Sequence, residues 1–413
     1  MTKNKYSKGR RSFLLGLGGF SALGLAHKHS YSAAQAEEMS VYISDLSKEN
    51  KRGRGQSLRQ LAASKGIKYG GFTQRSSDDI LKDKKFDRIF TREYEVVVGG
   101  FFGVTVGPFG SNNYNFTQTD AFLNFARKNN LDFRAHPLIW NEFNSPWLVD
   151  KFKASGTTNS EIDKIFINHI TTLAQRHAGK VSSWDVVNEA IRVEDGRSDN
   201  LKDTTKSGVR GEKYPTWLNF LGANYIERAF KIAAKADPNA TLTYNDNGLT
   251  YSNRFGSSYE EQRRAAVLEL LDKLKAKGTP VHALGIQSHL EGHRNKEFDA
   301  NKFRKFLSDV ASMDIEIIIS ELDVRDNKLP KNIAKRDRAV AEAYYQYLSV
   351  VLDEPAVTTV INWGLSDRHT WISGFAPRSD GAAVRPLLLD RQYLRKPAWK
   401  AVARALREAP SRL

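Results

Sequence analysis

Short apolar runs alternate along this chain, from about Ser57 onward, with longer stretches whose apolar positions recur every three or four residues. Runs of the first kind predict buried strands, and spacing of the second kind predicts helices with one face packed on a sheet. Strands are expected over 67–72, 94–98, 131–135, 181–187, 241–244, 283–286, 315–319 and 358–363. Helices are expected around 118–128, 161–176, 223–236, 259–275, 302–313 and 338–352; in the third, Tyr225, Ala229, Ile232 and Ala233 share a face. About eight strand–helix units in succession predict an α/β protein and, within that class, a closed (β/α)8 TIM barrel rather than an open doubly wound sheet. No Gly-x-Gly-x-x-Gly or phosphate loop follows the first strand, so a nucleotide-binding reading lacks its motif.

In such a barrel the chemistry gathers where strands end. The third expected strand ends in His136 and runs on to Trp140, the fourth in Asn188-Glu189, and the fifth in Asn245-Asp246. The sixth ends in Gln287-Ser288-His289, the seventh in Glu321 and the eighth in Trp363. A single Glu where a strand meets solvent is ordinarily no more than a polar residue. Two at the ends of two strands suggest glycoside hydrolysis, which needs one carboxylic acid to protonate the leaving oxygen and a second carboxylate to meet the oxocarbenium-like centre. Glu189, closing Ser183-Trp184-Asp185-Val186-Val187-Asn188-Glu189-Ala190, and Glu321, within Ile317-Ile318-Ile319-Ser320-Glu321-Leu322-Asp323, form that candidate pair.

Composition narrows the setting. With 413 residues, 40% hydrophobic and 11% aromatic, the chain has enough apolar material for one large barrel. The formal charge of +16 is uneven: residues 1–36 hold six Lys/Arg and no Asp/Glu, which leaves +10 for a chain starting at Glu37. Lys3, Lys5 and Lys8, then Arg10-Arg11-Ser12-Phe13-Leu14-Leu15, a Gly- and Leu-rich run to Ala26, and Ala34-Gln35-Ala36 have the layout of a twin-arginine export signal. The apolar run 13–26 is shorter than the ~20 residues of a spanning helix, so the segment is expected to address the chain to the export machinery rather than anchor it. Residues 37–60 form a basic arm, with Lys48, Lys51, Arg52, Arg54 and Arg59 against Glu49 in its second half, and 61–413 the catalytic domain. None of the usual nucleic-acid-binding signatures accompanies the basic residues, so no nucleic-acid partner is expected. The absence of cysteine excludes disulfides and thiolate chemistry, and the nine histidines show no His-Glu-x-x-His or similar spacing, so neither metal nor cofactor is expected.

The strand-end motifs, taken in order, resemble glycoside hydrolase family 10, the β-xylanase family, over about 61–407. The segment 184–190 matches the acid/base motif, 319–323 the nucleophile motif, and Gly285-Ile286-Gln287-Ser288-His289 the segment whose His contacts the nucleophile. Tyr244-Asn245-Asp246 matches the fifth strand, and Trp363 with Trp371 match the two tryptophans that wall the sugar site. The resemblance implies a retaining endo-β-glycosidase acting on a xylan-like polysaccharide, with Glu189 as acid/base and Glu321 as nucleophile. It implies substrate contacts from His136, Trp140, Asn188, Asn245, Gln287, His289, Trp363 and Trp371. Asn188 would hold the sugar 2-hydroxyl, and Asp323 would orient His289 against Glu321.

Two departures stand out. The family places Glu-Asn-x-x-Lys after the second strand, but no Asn, Lys or Glu occurs here from Val96 to Ser111, where the chain reads Val96-Val97-Val98-Gly99-Gly100-Phe101-Phe102-Gly103-Val104. After the third strand His136 and Trp140 remain, but Asn141 stands where the family has a second His. A hydroxyl deprived of its hydrogen-bonding partner binds far more weakly, so plain xylan is expected to be a poor substrate. A hydrolase or transglycosylase acting on an exopolysaccharide of the cell itself, or a carbohydrate-binding barrel without turnover, are the alternatives. Retention of both carboxylates with Asn188 and His289 argues against the last.

Overall fold

The computed structural model describes residues 55–73, 83–100, 107, 110, 112–252 and 259–413. The expected leader, residues 37–54 of the basic arm, and Phe101, Phe102, Gly103 and Val104 lie outside the described residues.

Eight parallel strands close into the expected (β/α)8 TIM barrel: β1 Lys68–Phe72, β2 Val96–Gly99, β3 Asp132–Ala135, β4 Ser183–Asn188, β5 Thr241–Asp246, β6 Ala283–Ile286, β7 Glu316–Arg325 and β8 Val357–Asn362. Closure is made by β8, which pairs with β1 through Tyr69↔Val360 and with β7 through Val360↔Ile319. Helices on the outside cover the sheet, so both faces are buried and the strands read as near-continuous apolar runs. Alternation divides each run between two cores. Val96 and Val98 point inward to a cluster with Phe72, Ala283, Ile318, Ile361 and Trp363, whereas Val97 joins the larger layer between sheet and helices. Each such side chain contributes about 1.5–3 kcal/mol by leaving water.

Boundaries move where caps override periodicity. The expected strand 94–98 starts at Val96, because the Tyr94 N–H closes helix Lys84–Glu93 on the Phe90 carbonyl at 2.9 Å. The helix expected at 338 begins at Ile333, where the Asn332 side chain accepts from the Lys335 N–H. Residues 57–60, which fall within the expected basic arm, open the first helix, Leu58–Ala63, with Ser57 and Gln60 forming a capping box. That helix is tied to the end of the chain by Glu93, whose carboxylate accepts from the Leu58 N–H at 3.0 Å, Trp399 at 3.2 Å and Arg395 at 2.9 Å. Helices Lys84–Glu93, Pro146–Lys153 and Pro397–Glu408 are present without having been expected from periodicity. The first two bury only two or three side chains each, and half of the eight residues buried by the last are alanine, so their apolar faces are small although clearly one-sided.

Candidate active site

The strand ends converge on an open cleft of about 1530 Å³, lined by Phe72, Trp140, Glu189, Gln287, Glu321 and Trp371 among others. Glu189 follows β4 with φ +55°, its N–H donating to the Asn245 carbonyl at 2.9 Å. Ser288, after β6, has φ +58°. Left-handed backbone at a residue with a side chain costs about 1–3 kcal/mol and persists only where its surroundings hold it. Here it turns the chain at Glu189 itself and between Gln287, which bonds Glu189, and His289, which bonds Glu321.

A chain of amides joins the carboxylates. Gln287 Nε2 donates to Glu189 Oε1 at 2.9 Å and to Asn188 Oδ1 at 3.3 Å. Asn245 Nδ2 donates to the same Asn188 oxygen at 2.8 Å and to Glu321 Oε1 at 2.9 Å. Two donors on Oδ1 fix which end of the Asn188 amide is oxygen. Its Nδ2 is buried and has no hydrogen-bond partner among the described residues. An unmade bond of this kind costs about 1–3 kcal/mol, recovered when a ligand hydroxyl accepts it. The other Glu189 oxygen, Oε2, accepts from Trp140 Nε1 at 3.0 Å. Buried Asp246 lies close by, and burial pushes its carboxyl up to about 6; Arg263 and the Tyr244 hydroxyl oppose the rise, and the Glu189 charge adds to it.

Glu321 Oε2 meets His289 Nε2 at 3.2 Å, and His289 Nδ1 meets Asp323 Oδ1 at 2.9 Å. Burial alone would lower the imidazole, but attraction and hydrogen bonding from Asp323 and then Glu321 outweigh it and raise the pKa to about 9. His289 is thus a cation at neutral pH, set between two carboxylates. Because the folded pKa is raised, its contribution to stability is complete below the ordinary histidine value and is lost as pH rises through about 9. Asp323→Asn should lower that pKa by about one pH unit or more; an imidazole titration of His289 followed by NMR that coincides with the parent's would refute the coupling.

Asp323 also accepts from Trp371 Nε1 at 2.8 Å, so the expected orienting residue positions a wall of the cleft as well. Trp363 stacks on Phe72 with ring centres 4.1 Å apart and planes 11° from parallel, and is 4% exposed. It is a floor for the cleft rather than a free platform. His136 meets Trp363 edge-on at 5.5 Å and is held from Nδ1 by Asp185 at 2.8 Å, which in turn pairs with buried Arg134. Of the eleven expected site residues, Glu189, Glu321, His136, Trp140, Gln287, His289, Trp363 and Trp371 line the cleft. Asn188 and Asp323 lie directly behind them, and Asn245, wholly buried, spends its amide on Asn188, Glu321 and Ser320 rather than on open space.

Asn141, the substitute for a family histidine, is buried and accepts from Thr216 Oγ1 at 2.8 Å. It ties the loop after β3 to the start of helix Trp217–Leu221 and does not line the cleft. Three further participants emerge only from the fold. Asp185 is one letter of a longer motif, Phe72 reads as strand core, and Phe375, four residues past Trp371, carries no motif although its ring lies 4.5 Å from that tryptophan.

A parallel barrel that presents one carboxylate after its fourth strand and another on its seventh, linked through amides and backed by a cationic histidine, is built to break glycosidic bonds. The chain is a glycoside hydrolase, and its sequence matches the profile of glycosyl hydrolase family 10 over residues 57–405, so it belongs to that family. It is 28% identical over 353 residues to the endo-1,4-β-xylanase B of Thermotoga neapolitana, covering 85% of this chain and 92% of that one. Among solved structures it resembles native xylanase 10B from Thermotoga maritima, with a TM-score of 0.71 and 27% identity, over 85% of this chain and 98% of the other. It is similar too to xylanase 10B from Thermotoga petrophila in complex with xylobiose, with a TM-score of 0.72, 26% identity and coverage of 86% and 98%.

Proposed function

We propose that the chain is an exported endo-acting β-glycanase that cuts xylan-type β-1,4-linked backbones by double displacement. The observation behind this reading is the hydrogen-bonded chain from Glu189 through Gln287, Asn188 and Asn245 to Glu321, which holds two carboxylates at opposite ends of one set of amides. Glu321 attacks the anomeric carbon while Glu189 gives its proton to the departing sugar oxygen, leaving a glycosyl ester on Glu321. Glu189, now a carboxylate, takes a proton from the incoming water, which attacks the same carbon and frees Glu321. The unpartnered Asn188 Nδ2 suits the 2-hydroxyl of the reacting sugar, and the His289 cation keeps Glu321 ionised and a good leaving group in the second step.

Gly100 and Phe122 line the cleft with Thr73 and Gln118, a hydroxyl and an amide in place of the Glu, Asn and Lys of the family motif, which supports a low activity on unsubstituted xylan. A panel of linear xylan, decorated xylans, β-glucans and bacterial exopolysaccharides, scored for new reducing ends and product sizes, tests the assignment. Internal cuts in at least one β-linked glycan are expected; no cleavage of any would overturn it.

Export is part of the same proposal. Replacing Arg10 and Arg11 together with Lys should leave full-length precursor in the cytoplasm, because the pair is read by a receptor and not as general positive charge. Unchanged export, followed by cell fractionation and immunoblotting, would point to another route.

A further inference from the structure

The charges lining the cleft do not cancel evenly. Glu142 is paired with Lys202, and Glu260 and Glu291 are met by Arg294 at 3.2 and 3.7 Å, so the carboxylates that take no part in the chemistry are already answered. Arg325, Arg368 and Arg391 line the same cleft and have no carboxylate partner among the described residues. Arg325, at the end of β7, has its guanidinium 5.0 Å from the Phe375 ring centre and 5.8 Å from that of Trp371, and its Nε is buried without a hydrogen-bond partner. Phe375 is 61% exposed and lines the cleft, with Trp371 packed against it at 4.5 Å and the Arg325 guanidinium over its ring, so aromatic surface and cation are presented together. Arg368 and Arg391 are exposed and continue outward into an adjoining depression with Lys84 and Lys85, where Asp83 is the sole carboxylate among the lining residues. Asp83 is engaged by the Lys85 and Phe86 N–H groups and by the Tyr393 hydroxyl.

An apolar ring face flanked by a guanidinium is what a sugar ring bearing a carboxylate requires: the ring stacks, and the planar fork takes the anion. Cations without a carboxylate partner along a cleft also raise the local concentration of an anionic polymer. We infer that this cleft is built for an acidic glycan, with an anionic sugar stacked on Phe375 and its carboxylate held by Arg325, and with Arg368 and Arg391 drawing the flanking chain onto the rim. The inference rests on the glycanase reading of the site and adds the charge of the substrate to it.

The test compares a glucuronic-acid-substituted xylan with the same polymer after its carboxyl groups are reduced to alcohols, so that backbone and branching are kept. At low ionic strength kcat/KM on the acidic polymer should exceed that on the reduced one by about tenfold, and the ratio should fall towards one in about 1 M salt, where charges are screened beyond about 3 Å. Arg325→Gln, and separately the double variant Arg368→Gln/Arg391→Gln, should each lower the ratio at least about threefold. A ratio near one for the parent, or ratios in both variants equal to the parent's, would overturn the inference. If neither polymer is cut, the xylan-type reading fails. Calorimetric binding of acidic against reduced oligosaccharide to the parent protein then decides the rim alone, with equal affinities refuting it.

Discussion

Glu321→Ala is expected to lower kcat on the best glycan by on the order of 10⁴-fold, because the variant has no group to form the glycosyl ester. The fold should survive. Glu321 sits at the mouth of the barrel and touches Asn245 and His289, neither of which depends on it alone: Asn245 keeps Asn188 and Ser320, and His289 keeps Asp323. Losing one buried hydrogen-bonded carboxylate should move the melting temperature by only a few degrees, about 1–2 °C per kcal/mol for a domain of roughly 350 residues. His289 should become easier to deprotonate, since Glu321 is one of the charges that raise it. Steady-state rates together with a thermal melt check the expectation; turnover near the parent's in a folded variant would remove Glu321 from the chemistry.

Glu189→Ala should behave differently, and the difference separates the two roles. An unactivated sugar leaving group needs the acid's proton, so loss on oligosaccharides should reach about 10²–10⁴-fold. An aryl glycoside with a good leaving phenol does not need that proton, so the first step should be largely spared. The second step, deprived of its base, should become limiting and give a burst of phenol. Added azide, which needs no base, should speed turnover of the aryl substrate by reacting with the ester directly. Equal losses on both substrate types, measured by stopped-flow and steady-state assays, would mean that Glu189 is not the acid/base.

The barrel and the motifs that carry the proposed catalytic pair were legible because each rests on a local pattern. Runs such as Val96-Val97-Val98 and Ile317-Ile318-Ile319 are buried on both faces and announce themselves. Glu189 and Glu321 sit inside contiguous motifs, Glu189 just past the end of β4 as expected and Glu321 within β7, which continues to Arg325 beyond the expected end at 319. Helix ends were less legible, since Ser57 and Asn332 act through a single capping hydrogen bond that periodicity does not register. The finer division of labour was invisible. Asn245 and Asn188 both read as substrate contacts, yet only the three-dimensional course of their amides shows one of them saturated and the other with a donor to spare. Arg325, Arg368, Phe375 and Arg391 are spread over 67 positions and belong to no motif, so their convergence on one side of the cleft could come only from the closed barrel.

The most direct test of double displacement at Glu321 is the stereochemistry of the first product. Proton NMR recorded during the first minutes of cleavage of a β-1,4-linked xylo-oligosaccharide or its acidic counterpart distinguishes the two anomers before they equilibrate in water. Two successive displacements should yield the β-anomer first, with the α-anomer appearing only by mutarotation. The α-anomer as the initial product would mean that water attacks directly, and would contradict the role of Glu321 as nucleophile.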